Sequence, residues 1–251
     1  MLYDFLRWHV AAPVVRHVLR PTVVGLERLS EPGAAVVAGN HTSSGDTFPV
    51  TILLRRRMYF PAKKAFFEAK DFKGRLLAWV LRFAHQVPID TGGGKAGRDT
   101  LAVLTGHLRK GELVGIFPEG TRSPDGRMYR FHTGVARLAL AAGVPVLPLA
   151  CVNTKLRRGF LGIPTMKNAV LTIGEPLHFD QYFGRQDDAK VLRYVTNQIA
   201  AVIQQMTGQA YVDVYAHRVK SGELTIDQAD AYVRDSPPLT PPPDDPAERI
   251  E

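Results

Sequence analysis

Apolar residues in this chain fall into two alternating patterns, short unbroken runs and longer stretches at helical spacing. Ala34 to Ala38 is an unbroken run stopped by Gly39, which predicts a buried strand delivering Asn40 and His41 to a loop. Met58–Ala62, Gln86–Ile89, Leu113–Phe117, Val144–Val152 and Val170–Ile173 predict further strands. Between them, Asp46–Leu54, Lys73–Phe83, Arg98–Lys110 and Phe131–Ala142 predict helices, the last two closed by Gly111 and Gly143. Val191, Leu192, Val195, Ile199, Val202, Ile203 and Met206 line one face of an amphipathic helix that stops at Gly208. Tyr211 to Val233 predicts one or two helices more. Strands alternating with helices predict an α/β fold, a single domain with a mostly parallel sheet flanked by helices.

The two ends depart from this pattern. In residues 1–20, Phe5, Trp8, Val10, Val14 and Leu19 stand beside Arg7, Arg16 and Arg20, and Pro13 is expected to kink or divide any helix there. That composition suits either a helix lying on anionic lipid or one packed on the protein's own core. From Ser236 onward, with Pro241-Pro242-Pro243, the chain has too little apolar residue to build a core and is expected to be disordered. The division expected is therefore a membrane-interface helical segment over 1–30, the catalytic domain over 31–235 and a Pro-rich tail over 236–251.

Charge sharpens the picture of partners. The chain of 251 residues carries a formal +8, and the tail accounts for −3 of it, leaving +11 on the remainder. Such an excess suits an anionic membrane surface, a nucleic acid or a phosphate-bearing substrate. The basic residues are scattered and no nucleic-acid module is present, so no nucleic-acid partner is expected. Cys151 is the only cysteine, which rules out an intramolecular disulfide and a cysteine-based zinc site. The histidines outside residue 41 show no metal-ligand spacing. Asp4 and Arg7 interrupt the N-terminus as a signal peptide would not, and the longest uncharged run, Leu138 to Thr154, is broken by Gly143, Pro145 and Pro148. No segment is expected to cross a bilayer.

Two segments carry candidate chemistry. His41 and Asp46 are five positions apart, about 140° apart on a straight helix, so they meet only if Thr42 to Gly45 turn first. Ser43, Ser44 and Gly45 are turn and cap residues. A histidine in that position can take a proton from a hydroxyl, and a carboxylate on its other nitrogen fixes the tautomer. Phe117 ends an apolar strand, so Pro118-Glu119-Gly120-Thr121-Arg122-Ser123 sits at a strand's C-terminal edge, where open α/β sheets bind ligands. Gly120 allows a tight turn, Arg122 offers a planar fork of donors for phosphate, and Thr121 adds a hydroxyl. Glu119 is a candidate to accept from an acceptor hydroxyl or to hold Arg122.

The stretch His41–Asp46 resembles the His-x4-Asp motif of the glycerolipid acyltransferases, best known as 1-acylglycerol-3-phosphate (lysophosphatidic acid) acyltransferases. Phe117–Ser123 matches that family's Phe-Pro-Glu-Gly-Thr-Arg-Ser block without a departure, Val144–Leu149 resembles its proline-containing strand, and Lys63-Lys64-Ala65-Phe66-Phe67 its Lys-rich segment. The resemblance covers about residues 35–150. It implies His41 as general base, Asp46 as its orienter, and Glu119, Gly120, Thr121 and Arg122 as the site for acceptor phosphate. Lys64 is a candidate for donor phosphate. It further implies an acyl-CoA or acyl-carrier-protein donor, a lysophospholipid acceptor, no metal or prosthetic group, and peripheral docking on the cytoplasmic face of the cell membrane. Two positions depart from the family: Thr91 stands where Ile-Asp-Arg is common, and His132 where a lysine precedes the Thr-Gly pair. Arg98 is the next arginine after Asp90 and a candidate replacement.

Three other readings compete. Gly92 to Gly97 satisfies Gly-x-Gly-x-x-Gly, but Asp90 precedes it and Lys95 is followed by Ala96, which does not fit a phosphate cradle. A lipid acyl hydrolase using Ser43 or Ser44 lacks the Gly-x-Ser-x-Gly elbow. A basic lipid-binding protein without catalysis rests on the charge alone.

Overall fold

A computed structural model describes residues 5–69, 71–90, 95–159 and 164–242. A seven-stranded sheet forms from β1 (Thr22–Val24), β2 (Ala35–Gly39), β3 (Met58–Lys63), β4 (Gln86–Ile89), β5 (Leu113–Ile116), β6 (Val146–Val152) and β7 (Val170–Ile173). The order across it is β1-β7-β6-β2-β5-β3-β4, and every neighbouring pair is parallel except β6 with β7. β2 sits at the centre, buried along its length. The chain leaves β2 for β3 and β4, returns to β5 on one flank of β2, and then crosses to β6 on the other. The loops leaving β2, β5 and β6 therefore gather at one edge.

Successive residues of a strand face opposite ways, and that alternation divides the core. Val36, Ala38, Val114 and Val146 pack against α3 (Lys95–Arg109), α4 (Gly134–Ala142) and α5 (Ala189–Thr207). Ala35, Val37, Leu147 and Leu149 face the other way, onto Val50 and Leu54 around α1 (Phe48–Leu53) and onto Phe60. Helix α5 is the long amphipathic helix of the sequence. Asp188 caps it by accepting from Lys190 N at 2.9 Å, and Gly208 closes it with φ +67°. Helix α2 (Phe72–Phe83) packs on β4 and is capped by Asp71.

Several boundaries moved. The first helix starts at Phe48 rather than Asp46, because Asp46 is held in the turn before it. The fourth begins at Gly134, and Phe131 and His132 belong to the loop ahead of it. Pro13 does not divide the N-terminal helix. The chain stays helical from Arg7 to Leu19, with π-type turns at Arg7–Ala11 and Val15–Leu19 around the short α turn that holds the ring. One side of this helix packs Ala12, Val15 and Leu19 on Ile52 and Met166, while Phe5, Val10 and Val14 are exposed. Arg7, grouped with the lipid-facing arginines, is instead buried and donates from Nε to the Ile52 carbonyl at 2.9 Å.

β1 draws residues 22–24 into the main sheet, inside the segment assigned to the interface. At the other end, the chain is tied to α5 at Pro238. Asn197 Nδ2 donates to the Pro238 carbonyl at 2.6 Å, since a proline-rich strand still offers acceptors. Residues 243–251 and the glycines at 92–94 lie outside the described residues. After Val212, two short helices appear, Ala216–Lys220 (α6) and Ile226–Ala229, with two-residue strands at 211–212 and 233–234 that the helical reading of this region passed over. Among the described residues no helix is long and apolar enough to cross a membrane.

Candidate active site

The loop after β2 closes on itself around one carboxylate. Asp46 is fully buried, and its Oδ2 accepts from the backbone N–H of Thr42 and of Ser43, both at 2.8 Å, and from His41 Nδ1 at 2.8 Å. Its Oδ1 accepts from Thr154 Oγ1, a close contact, and from the Thr42 hydroxyl at 3.3 Å. The carboxylate therefore has its acceptor sites filled by donors that fix its position. Because Asp46 can only accept here, the proton on the ring sits on Nδ1, and Nε2 is left without a partner among the described residues. The ring keeps 20% of its side-chain surface exposed.

The turn is tight enough to require Gly45. A Cβ there would lie 2.2 Å from the Thr154 carbonyl oxygen and 2.6 Å from Met166. Ser43 Oγ donates to that same carbonyl at 2.8 Å and accepts from Gly45 N at 2.9 Å, so it braces the turn and does not face the imidazole. That engagement removes Ser43 as a hydrolase nucleophile. Asn40, the residue before the histidine, continues the strand pairing with its side chain. Its amide donates to Cys151 O at 2.9 Å and accepts from Cys151 N at 2.7 Å, tying the end of β2 to β6.

The second segment is locked to the first. Ser123 N donates to His41 O at 2.6 Å, and His41 N donates to Glu119 Oε1 at 2.8 Å. Glu119 Oε2 accepts from Tyr129 N at 3.2 Å. Glu119 is only 1% exposed, so it neither reaches an acceptor hydroxyl nor holds Arg122, the two uses its sequence position suggested. Burial pushes its carboxyl up to about 8, a shift that the two N–H donors oppose and the nearby Asp46 assists. Gly120 turns the chain with φ +72°. Phe117 stacks on the imidazole with centroids 4.1 Å apart, and Phe60 lies against Phe117 at 5.5 Å.

Arg122 lies on this turn, and Lys220 Nζ of α6 donates to Thr121 Oγ1 at 3.0 Å. A cavity of about 710 Å³ borders the loops, lined by Thr42, Ser43, Arg122, Asn153, Thr154 and Gln209; His41 is not among its walls. Lys64 stands apart from the site, 52% exposed and 3.5 Å from Glu68. Its neighbour Lys63, the last residue of β3, is the one that shares a neighbourhood with Lys220 and Arg122. Thr154, Lys63 and Lys220 were not singled out from the sequence. Thr154 lies just past the end of β6, fully buried, and a hydroxyl at the end of that uncharged run was the one available signal.

A family model described as Acyltransferase matches residues 20–152, more than half of the chain, and takes in both loops. The chain belongs to the acyltransferase family. Curated relatives include a 1-acyl-sn-glycerol-3-phosphate acyltransferase of Pseudomonas aeruginosa, 36% identical over 141 residues that cover 53% of this chain and 49% of that one. A chloroplastic 1-acyl-sn-glycerol-3-phosphate acyltransferase of Arabidopsis thaliana is 31% identical over 159 residues, 62% of this chain and 43% of that one. The chain thus spans about half or less of the length of these relatives. The crystal structure of the 1-acyl-sn-glycerophosphate acyltransferase PlsC from Thermotoga maritima matches with a TM-score of 0.55 and 22% identity, over 82% of this chain and 78% of that one. That likeness establishes the shared fold, a mostly parallel sheet flanked by helices. Within the acyltransferase match lie His41, Asp46 and the Glu119–Arg122 turn; Gln209 and Lys220 lie beyond it.

Proposed function

We propose that this protein transfers a fatty acyl group from an acyl thioester, acyl-CoA or acyl-carrier protein, to the free hydroxyl of a 1-acylglycerol-3-phosphate or closely related lysophospholipid. One observation carries the reading: His41 is oriented through Nδ1 by a buried, fully engaged Asp46, with Nε2 left over, and its main chain is bonded to Glu119 and Ser123 on the turn that bears Arg122. In this reading Nε2 takes the proton of the acceptor hydroxyl as its oxygen attacks the thioester carbonyl. The new C–O bond forms, the C–S bond breaks, and the imidazolium returns the proton to the departing thiolate. Asp46 holds the ring and stabilises its charged form without taking the proton. Arg122 and its neighbours hold the acceptor's phosphate.

The lipid substrate calls for a membrane surface, and the peripheral, cytoplasmic-face placement is part of the proposal. Two apolar faces support it: Phe5, Val10 and Val14 on the N-terminal helix, and Phe72, Leu76 and Trp79 on α2, which share one side and are all exposed. The test is the product. Protein incubated with acyl-CoA and 1-acylglycerol-3-phosphate should yield the diacyl phosphate and free thiol in equal amounts. Thioester loss at the same rate without acceptor would replace transfer by hydrolysis.

A further inference from the structure

Three cations come together near the turn after β5. Arg122 comes from the turn after β5, Lys63 from the end of β3, and Lys220 from α6, which reaches the turn from outside the family match and donates to Thr121 Oγ1 at 3.0 Å. None of the three forms an ion pair among the described residues, although Lys64, the neighbour of Lys63, finds Glu68. Glu119 lies buried beneath the turn with both oxygens taken by backbone N–H groups. Partial burial and the like charges of Arg122 and Lys63 both hold the Lys220 ammonium below its ordinary range, with Glu119 opposing. A cluster of this kind is stable when an anion completes it.

The ring of His132 lies against the same turn, 3.1 Å from where a Gly120 Cβ would be. Burial, His217 and Arg193 all hold the His132 pKa down, so the ring adds no charge at neutral pH. It stacks on Tyr215 at 4.3 Å, at the start of the segment that carries Lys220.

We propose that Lys220 is a third phosphate-binding cation of the acceptor site, and that it selects a phosphate monoester over a phosphate diester. A monoester carries between one and two negative charges at neutral pH and exposes three oxygens, one for each cation. A diester has a single charge and two free oxygens, and is served by Lys63 and Arg122 alone. The proposal rests on the acceptor reading above, so its test separates the two. Binding of a soluble short-chain 1-acylglycerol-3-phosphate and of its diester counterpart is measured by calorimetry on wild type, K220M and K220R, beside the kinetics of acyl transfer to each.

Lys220→Met should weaken monoester binding about tenfold, the scale of one charge-assisted hydrogen bond, and raise the monoester KM by a similar factor, more than it lowers kcat. Diester values should move by less than about twofold, and Lys220→Arg should restore monoester binding. Equal loss for both esters, or no loss for either, overturns the role of Lys220. Weaker monoester binding in K220M without transfer by wild type would uphold Lys220 and overturn the proposed reaction. A wild type that binds neither ester overturns both.

Discussion

The backbone N–H of His41 donates to the carboxylate of Glu119 at 2.8 Å, across 78 positions of sequence. That bond, with the Ser123 N–H to His41 carbonyl bond at 2.6 Å, makes one rigid unit of the loop that holds the imidazole and the turn that holds Arg122. Glu119 thus braces the His41 loop from below, and the same burial gives it an unusual titration. Its ordinary value is 4.5 and burial raises it to about 8. Between those values the folded protein keeps a proton that the unfolded chain releases. The stability linked to that proton is complete below about pH 4.5, falls as pH rises, and is gone above about 8. Urea midpoints of wild type and Glu119→Gln should therefore differ most in favour of wild type near about pH 5 and converge or invert by about pH 9. A difference constant across that range would contradict the burial of an ionisable carboxyl.

Thr154 reaches His41 through Asp46. Thr154→Val removes the donor closest to Asp46 Oδ1 and leaves the Thr42 hydroxyl at 3.3 Å. A stability loss of about 1–3 kcal/mol is expected, and a fall in kcat of about tenfold to a hundredfold as the ring loses its fixed aim. An unchanged kcat in a destabilised variant would make Thr154 a packing residue only.

The legibility of this site followed distance along the chain. His41 and Asp46 are five residues apart, and Ser43 and Gly45 between them announced the turn that joins them. Thr154, 108 residues from Asp46, carries no such signal, because its role exists only once β6 lies beside β2. Glu119 was misplaced for a related reason. Its side chain points into the protein toward two N–H groups that the sequence does not reveal as orphaned. Lys63 and Lys64 illustrate a one-residue ambiguity: the strand runs through Lys63, and the next residue starts a helical turn facing Glu68. Strands β2 to β7 were plain in the apolar runs, and the mostly parallel order followed from alternation with helices. The pairing of Thr22–Val24 with β7 was hidden, since three residues make too short a pattern.

Arg122 should matter to the acceptor more than to the donor. Arg122→Ala is expected to raise the acceptor KM by about tenfold or more while the thioester KM stays near wild type. Equal changes in both would move Arg122 out of the phosphate site.

The exposed face of α2 should be a membrane contact. Phe72 is 84% exposed, and Trp79 lies two turns along the same side. Phe72→Ser with Trp79→Ser should weaken sedimentation with anionic vesicles by at least about tenfold, since each aromatic contributes about 1.5–3 kcal/mol on burial. Turnover of a soluble short-chain acceptor should be retained. Vesicle binding equal to that of wild type would confine membrane contact to the N-terminal helix.

The most direct measurement concerns His41. Wild type and His41→Ala are each given a labelled acyl thioester and 1-acylglycerol-3-phosphate, and the diacyl phosphate is quantified by mass spectrometry over the first turnover, with circular dichroism to establish that both proteins are folded. Wild type should form the product and the variant should form it about 10²- to 10⁴-fold more slowly, the contribution of a positioned base. A folded His41→Ala protein that makes the product within about threefold of wild type would contradict the account.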